Sequence, residues 1–293
     1  MRGFEYVRPS SLEEACRLLG RSEGESRVLA GGTDLLVQVK QKRLHPDLVV
    51  SLRDVPGLSF IRVEPDGSVA IGAMTSLGAI ETSKEMLEHL PPVAEAASMV
   101  GSVQVRSRAT LGGNLCNAAP SADMAPILIA YEATVDLGDG RRDRSIPLED
   151  FFTGPGQTVL ETGEVMKAVR IPRAPEWSFG TYLKAFRSSM DIAVVGVGIR
   201  VTFRRETTVC QDLRLVLGAV APTPMRARGS ERMAAGRELD DVLIEEISRM
   251  ASEEARPISD VRSTAGYRKS LVTVLTRRVL LAARDWAEKG GRR

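Results

Sequence analysis

The chain has 293 residues, 43% of them hydrophobic, and its 40 basic and 38 acidic residues give a formal net charge of +2. That length favours about two domains, and the balanced charge gives no case for a nucleic acid or an acidic membrane as partner. The three cysteines lie far apart in sequence, so neither a disulfide framework nor a cysteine-only metal site is expected. We therefore expect a reducing, cytoplasmic environment, and no stretch approaches the ~20 apolar residues of a transmembrane helix.

The first 55 residues are predicted to form a compact α/β unit. Ser11, followed by Glu14, has the pattern of a capping box at the start of a helix. Apolar runs and an amphipathic stretch then alternate along the unit. The other predicted elements here are a strand at 28–30, a helix from 34 to about 42 and a strand at 48–50.

Residues 56–174 change to the pattern of hairpins and short helices. Pro65-Asp66-Gly67 and Gly138-Asp139-Gly140 each separate two extended runs, as hairpin turns do. Proline is tolerated in the first turn of a helix, which allows one to begin at Pro91. The predicted elements are strands at 60–63 and 68–71, helices beginning at 76 and 91, a helix at 121–131, strands at 134–137 and 142–147, and a strand at 165–171.

After a predicted linker at 173–176, residues 175–293 are predicted to form a smaller domain. Strands come first and helices follow, an order that argues for an α+β domain. We expect a three-stranded antiparallel sheet followed by a helical bundle. The predicted strands are 179–186, 193–203 and 213–218, and the helices are about 228–235, 239–255 and 263–288.

Two glycine loops point most directly to a ligand. Ala30-Gly31-Gly32-Thr33-Asp34 connects a predicted strand to a helix, and Thr110-Leu111-Gly112-Gly113-Asn114 also precedes a helical run. Backbone that turns on glycine can approach an anion closely, and a helix start presents free N–H groups and partial positive charge. Alone, each loop is more readily explained as a structural turn. Together they indicate a dinucleotide whose pyrophosphate lies between two subdomains.

Other nucleotide folds fit less well. Residues 31–36 lack the third glycine of the GxGxxG fingerprint, and the chain continues into hairpins, although Asp54 stands where a ribose-binding acid could lie. No GK[ST] sequence occurs, which excludes a Walker A loop. The only histidines, His45 and His89, lie in predicted loops beside prolines. Any chemistry is therefore expected from a bound cofactor, and FAD fits best.

Nearly the whole chain resembles a known family, the FAD-binding medium subunits of the molybdenum hydroxylases. These include carbon monoxide, nicotinate, quinoline and bacterial xanthine dehydrogenases and 4-hydroxybenzoyl-CoA reductase. The combination of AGGTDLL, TLGGN and the downstream Asp123 is specific. The resemblance also rests on residues 4–9, 12–15, 71–75, 104–106, 109, 120–122, 184, 187, 191–193, 259–262 and 267–268.

The resemblance implies an α+β fold. A PCMH or vanillyl-alcohol-oxidase-like FAD-binding domain of two subdomains, 1–55 and 56–174, would precede a CO-dehydrogenase-flavoprotein-like C-terminal domain, 175–293. Backbone N–H groups of both glycine loops would hold the FAD pyrophosphate. Asp123 would contact the ribose or adenine side, and Lys184 would reach the flavin end, where a cation favours the anionic reduced flavin. The implied cofactor-binding residues are Val28, Leu29, Ala30, Gly31, Gly32, Thr33, Asp34, Leu35, Val100, Thr110, Leu111, Gly112, Gly113, Asn114, Asp123, Met166 and Lys184.

Some of these roles have alternatives. Met166 and Val100 could be plain core residues, and Lys184 could be a surface charge. Relatives often place an aromatic residue where Val100 stands, so stacking there is not implied. Cys116 could be a small buried residue or a thiol near the flavin. The chain lacks the cysteine-bearing insertion of 4-hydroxybenzoyl-CoA reductase, which argues against that member.

The resemblance further implies an electron-transfer role without catalytic or metal-binding residues in this chain. A small subunit with 2Fe–2S clusters would deliver electrons to FAD, which would pass them to NAD or a quinone. A large molybdopterin subunit would oxidise the substrate, and the complex would be a dimer of heterotrimers. Two alternatives remain: a stand-alone FAD-dependent oxidase or reductase of the same superfamily, and a structural subunit with a decayed cofactor site. The second predicts broken glycine loops, whereas both loops are intact.

Overall fold

A computed structural model describes residues 3–21, 24–188 and 190–291. The strands are β1 (Glu5–Val7), β2 (Ser26–Leu29), β3 (Leu48–Ser51), β4 (Ile61–Val63), β5 (Val69–Gly72), β6 (Thr134–Gly138), β7 (Asp143–Pro147), β8 (Phe152–Gly154), β9 (Gln157–Thr158), β10 (Val165–Ile171), β11 (Ser178–Ala185), β12 (Val195–Phe203), β13 (Cys210–Gly218) and β14 (Met225–Arg226). The helices are α1 (Leu12–Arg21), α2 (Leu35–Lys40), α3 (Leu77–Thr82), α4 (Lys84–His89), α5 (Pro91–Ser98), α6 (Val103–Arg106), α7 (Leu111–Cys116), α8 (Met124–Ala130), α9 (Arg228–Ala234), α10 (Asp241–Glu254) and α11 (Ala265–Glu288).

The N-terminal unit is a parallel sheet in the order β1-β3-β2. The predicted cap is present, because Ser11 Oγ accepts the Glu14 N–H at 3.1 Å. The Glu14 carboxylate, however, accepts from the N–H of Ser10 rather than from that of Ser11. Helix α2 is shorter than predicted and ends at Lys40, two residues before Lys42, which adopts a left-handed φ of 59°. That backbone geometry is incompatible with continued right-handed helix.

The second unit is an antiparallel sheet in the order β4-β5-β10-β6-β7. Both predicted hairpins are present, β4–β5 and β6–β7. Helices α5 and α8 supply much of the apolar core on this sheet. Helix α8 begins at Met124, three residues later than predicted. Residues 121–123 form a turn instead, and that turn becomes one wall of the cavity described below.

The C-terminal sheet has four strands, β11-β12-β13-β14, where three were predicted. The fourth, β14, has only two residues, too few for sequence periodicity to indicate, and pairs with β13. All nine residues of β12 are buried because both faces of the sheet are covered. Helices α9 and α11 pack on one face, with α10 packed against both of them, and α8 of the second unit packs on the other face. The three large sheets thus lie within 1–55, 56–174 and 175–293, and division into domains at those residues remains a prediction.

Candidate functional site

A cavity of about 620 Å³ lies where the three units meet, within the size range of ordinary cofactor sites. Its walls come from the loop after β2, the start of α7, the turn before α8, the start of β10 and the turn between β11 and β12. Fourteen of the predicted residues line it: Val28, Ala30, Gly31, Gly32, Thr33, Asp34, Leu35, Val100, Thr110, Gly112, Gly113, Asn114, Asp123 and Met166. Leu29, Leu111 and Lys184 do not.

The two glycine loops touch each other. A Cβ built on Gly31 would lie 2.0 Å from the backbone oxygen of Arg108, just before the second loop. A Cβ on Gly113 would lie 3.7 Å from the Cβ of Ala30. Loops about eighty residues apart in sequence therefore share one side of the cavity. The close approach requires glycine at position 31.

The first loop presents unused backbone donors. Within the part of the chain that the structure describes, the N–H groups of Gly31, Gly32, Thr33 and Asp34 have no protein acceptor. Gly32 has a φ of +80°, which turns the chain sharply before α2. Consecutive free N–H groups beside a helix start form a concavity suited to an anion. This loop can therefore hold phosphate oxygens.

The second loop differs from what the resemblance implies. Its N–H groups already have protein acceptors: Leu111 bonds to Thr75 O, Gly112 to Ala73 O, and Gly113 and Asn114 to the side chain and backbone oxygens of Thr110. The loop instead offers the cavity a side chain, because Asn114 Oδ1 is buried without a partner among the described residues. An unpaired buried acceptor is costly. A ligand donor would satisfy it.

The Thr110 side chain holds the second loop in place by capping α7, and removal of this cap should have a measurable effect. Its Oγ1 caps α7 by accepting the Gly113 N–H at 3.0 Å. We expect Thr110→Val, which keeps the shape and removes the acceptor, to cost about 1 kcal/mol of stability and to weaken FAD binding. Urea unfolding and FAD titration measure the two effects. Thr110→Ser, which retains the hydroxyl, is the control, and equal values for both variants would contradict this role of the cap.

Residues in the segment 119–122 belong to the site, although the sequence pattern was not interpreted as a cofactor contact. Ala119, Ser121 and Ala122 line the cavity, and the N–H groups of Ala119 and Ser121 have no acceptor within residues 3–21, 24–188 and 190–291. The small residues of Ala118-Ala119-Pro120-Ser121-Ala122 allow close backbone approach, a pattern that could have indicated them. Residues 73–74 and 190–192 also line the cavity. Their sequences contain no run of small residues that could have indicated a ligand contact.

Asp123 lines the cavity, but both of its carboxylate oxygens have donors. Oδ1 accepts from the Tyr182 hydroxyl at 2.7 Å and Oδ2 from Lys184 Nζ at 3.0 Å. Burial raises the pKa of Asp123, while the Lys184 ammonium and the Tyr182 hydroxyl act to lower it. Burial and the neighbouring Asp123 carboxylate raise the pKa of Tyr182 well above its ordinary value. The Tyr182 hydroxyl therefore stays protonated at neutral pH and donates a hydrogen bond to Asp123.

The apolar lining includes Met166, Val100 and Cys116. Met166 and Val100 also pack in the core of the second unit, so the core and cofactor roles are compatible. Burial raises the pKa of the Cys116 thiol to about 12. The thiol therefore stays protonated at neutral pH and packs as a small apolar group. The Leu111 side chain, by contrast, is fully buried in the core of the second unit.

Neither His45 nor His89 belongs to the lining of this cavity. Both residues are exposed. Over the described ranges, no three histidine, cysteine or acidic side chains come together to hold a metal ion. Of the helices the structure describes, none combines the length and apolar composition that a membrane span requires.

The residues present fit FAD. The row of free N–H groups suits a pyrophosphate, Asn114 Oδ1 awaits a donor, and Met166, Val100 and Cys116 give an apolar wall. A dinucleotide needs phosphate donors and apolar surface for its rings in one elongated site. The cavity supplies both phosphate donors and apolar surface.

Comparison with known proteins supports the same cofactor. A family model described as the FAD binding domain in molybdopterin dehydrogenase matches residues 2–174, and the CO dehydrogenase flavoprotein C-terminal domain matches 180–283. The chain is 32% identical to the xanthine dehydrogenase FAD-binding subunit of Escherichia coli O157:H7 over 280 residues, 95% of each chain. It is 32% identical to the carbon monoxide dehydrogenase medium chain of Hydrogenophaga pseudoflava over 284 residues, 97% of each. A crystal structure of quinoline 2-oxidoreductase from Pseudomonas putida 86 superposes with a TM-score of 0.91 at 28% identity, covering 98% of this chain and 99% of that one.

Proposed function

The chain belongs to the family of FAD-binding medium subunits of molybdenum hydroxylases, and from this premise we propose that it transfers electrons between an iron–sulfur partner subunit and an external acceptor, NAD or a quinone. The partners would be a small 2Fe–2S subunit and a large molybdopterin subunit, in a cytoplasmic dimer of heterotrimers. Substrate choice would belong to the large subunit.

The observation that carries the proposal is a cavity that combines a glycine loop with free N–H groups and an apolar lining. The first glycine loop offers N–H donors for a pyrophosphate, and neither histidine reaches the site. Bound FAD supplies the redox chemistry. This chain would bind it, exclude water with apolar walls and keep Asp123 paired with Lys184 and Tyr182.

The role of each residue follows from the hydrogen-bond donors or acceptors that it has available for a ligand. The N–H groups from Gly31 to Asp34 would hold phosphate oxygens, and those of Ala119 and Ser121 provide further donors. Asn114 Oδ1 would accept a hydrogen bond from the cofactor. Thr110 holds the second loop in place through its cap.

The alternative is a stand-alone FAD-dependent oxidase or reductase. Such an enzyme needs a pocket for its organic substrate beside the flavin, with an acid or base aimed into it. The ionisable side chains of the lining are Arg27, Asp34, Cys116, Asp123, Glu164 and Asp191. Asp123 is engaged by Lys184, and Glu164 by Arg144. Asp191 is engaged by Arg187, so three of these four carboxylates have cationic partners, which favours the subunit role. Asp34 differs, because burial raises its pKa.

Reconstitution tests the proposal. We expect the purified chain to bind one FAD and to show no turnover of carbon monoxide, xanthine or nicotinate by itself. The same chain co-expressed with the products of neighbouring genes for 2Fe–2S and molybdopterin subunits should form a complex whose dye reduction requires this subunit's FAD. Substrate oxidation by the isolated flavoprotein would favour the stand-alone enzyme. Failure to bind FAD would refute both.

A further inference from the structure

Arg106, the last residue of α6, is a buried arginine outside the lining of the cavity. Its guanidinium binds the Glu81 carboxylate of α3 through two hydrogen bonds, Nε to Oε2 at 2.6 Å and Nη2 to Oε1 at 3.2 Å. A two-point contact between these planar groups sets the orientation of the guanidinium as well as its position. The third nitrogen, Nη1, is therefore held in a defined direction.

Nη1 is directed at the turn between α5 and α6. It donates to Val100 O at 3.1 Å and to Gly101 O at 3.4 Å, and its two N–H groups allow both bonds at once. Val100 and Gly101 line the cavity, and Gly101 has a left-handed φ of 52°, a conformation that favours glycine. Among the residues that the structure describes, no backbone N–H donates to either carbonyl. The two carbonyls of this wall therefore have Arg106 as their donor.

Glu81, the partner of Arg106, belongs to the framework that carries the second glycine loop. Helix α3 begins at Leu77, whose N–H donates to Ala109 O at 2.8 Å. Ala109 directly precedes the loop, and Arg106 stands three residues before Ala109. The guanidinium therefore links the turn between α5 and α6 to the base of the second glycine loop.

The contacts of Arg106 also explain how a charged side chain is accommodated in the core. A buried guanidinium needs a counter-charge and hydrogen-bond acceptors. Glu81 supplies the charge, and the two wall carbonyls supply further acceptors. Loss of Arg106 would thus leave Glu81 without its partner and the wall without its donor. Only the second effect concerns the cofactor, and replacing Glu81 as well cancels the first.

We propose that Arg106 is a positioning residue for FAD, which holds the turn at Val100 and Gly101 in the conformation that closes the cavity on the bound cofactor. The inference rests on the proposed function, because it takes FAD as the occupant of the cavity. Arg106 acts through the backbone of the wall. When its bonds to the wall are lost, the turn opens more often and FAD leaves faster.

Two variants separate the effect on the wall from the effect on overall stability. Arg106→Met removes both sets of contacts, and combining it with Glu81→Met also removes the unpaired carboxylate. The double variant should unfold at a higher temperature than Arg106→Met, yet both should release FAD about 10-fold faster than the wild type. Without FAD, amide hydrogen exchange in residues 99–102 should be faster in both variants. Gel filtration at timed intervals measures the release of FAD.

Arg226→Met is the matched control. Arg226 binds the Glu231 carboxylate with the same two-point geometry, at 3.0 and 2.6 Å, and neither residue lines the cavity. This variant should lower the unfolding temperature but leave FAD release and hydrogen exchange in residues 99–102 unchanged.

Two results would overturn the inference. One is a double variant that recovers wild-type FAD release together with its stability, because the pair would then be merely structural. The other is a release rate that rises as much in Arg226→Met as in Arg106→Met. If Arg106→Met does not fold, the double variant is compared directly with the wild type, and wild-type FAD release in the folded double variant would reject the role. A wild-type chain that binds no FAD would refute the proposed function, while hydrogen exchange in residues 99–102 would still test whether Arg106 holds the wall.

Discussion

Gly31→Ala is expected to abolish FAD retention, with affinity falling roughly 100-fold or more. The added Cβ would lie 2.0 Å from Arg108 O, 2.8 Å from Arg108 C and 2.9 Å from Ala109 Cα. All three atoms are backbone, so no side chain can move aside, and the two glycine loops must separate by about 1 Å to restore a normal contact. The FAD-to-protein ratio after gel filtration, followed by FAD titration, measures the effect.

Gly266→Ala is the matched control for this substitution. Gly266 lies in the first turn of α11, and nothing would come within 4 Å of its added Cβ. Alanine is the better helix former, so stability should stay level or rise slightly, with FAD binding unchanged. If Gly31→Ala folded and held FAD as the wild type does, contact between the glycine loops would not be needed for binding.

Gly198→Val should strongly destabilise the contact between the C-terminal sheet and α8. Gly198 lies in β12, and its Cβ would come within 2.8 Å of Pro126 C and 2.9 Å of Ile127 N, backbone atoms of α8. Valine suits a strand, so the loss would come from the helix contact rather than from strand propensity. We expect about 3 kcal/mol of lost stability, and a lower midpoint in thermal and urea unfolding.

Gly218→Ala provides a graded comparison on the neighbouring strand. Its added Cβ would meet Pro126 Cγ at 2.9 Å, and the next atoms lie 3.9 Å away. A proline ring atom yields more easily than helix backbone, so this variant should lose clearly less stability than Gly198→Val. Equal losses of stability in the two variants would show that close packing against the α8 backbone is not the reason for glycine at position 198.

Sequence reasoning succeeded where local chemistry determines structure. The Ser11 cap, both hairpin turns and the limits of β10 were predicted correctly, because each depends on residues within one short segment. The position of the two glycine loops was visible for the same reason. The strand order was not, because pairing partners such as β5 and β10 lie about a hundred residues apart.

In the site, too, local features were predictable from the sequence and features that depend on distant residues were not. Gly31 was identified as a turn residue, yet its strictest requirement comes from the Arg108 carbonyl, which no local pattern indicates. The N–H groups of the second loop were expected to be free, but Ala73 and Thr75 occupy two of them. Two acceptors of the Lys184 ammonium, Met99 O and Asp123 Oδ2, likewise come from distant segments. Which donors remain available is a property of tertiary contacts.

The walls of the cavity run from residue 27 to residue 192 of the chain, and this spread has a consequence for biogenesis. During synthesis, the loop after β2 leaves the ribosome long before β11 and β12 can form. The cavity is therefore incomplete until roughly two thirds of the protein has been made and the C-terminal sheet has reached α8. Cofactor capture is then a late step of folding, and a nascent chain stalled before β12 should have no complete cavity for FAD.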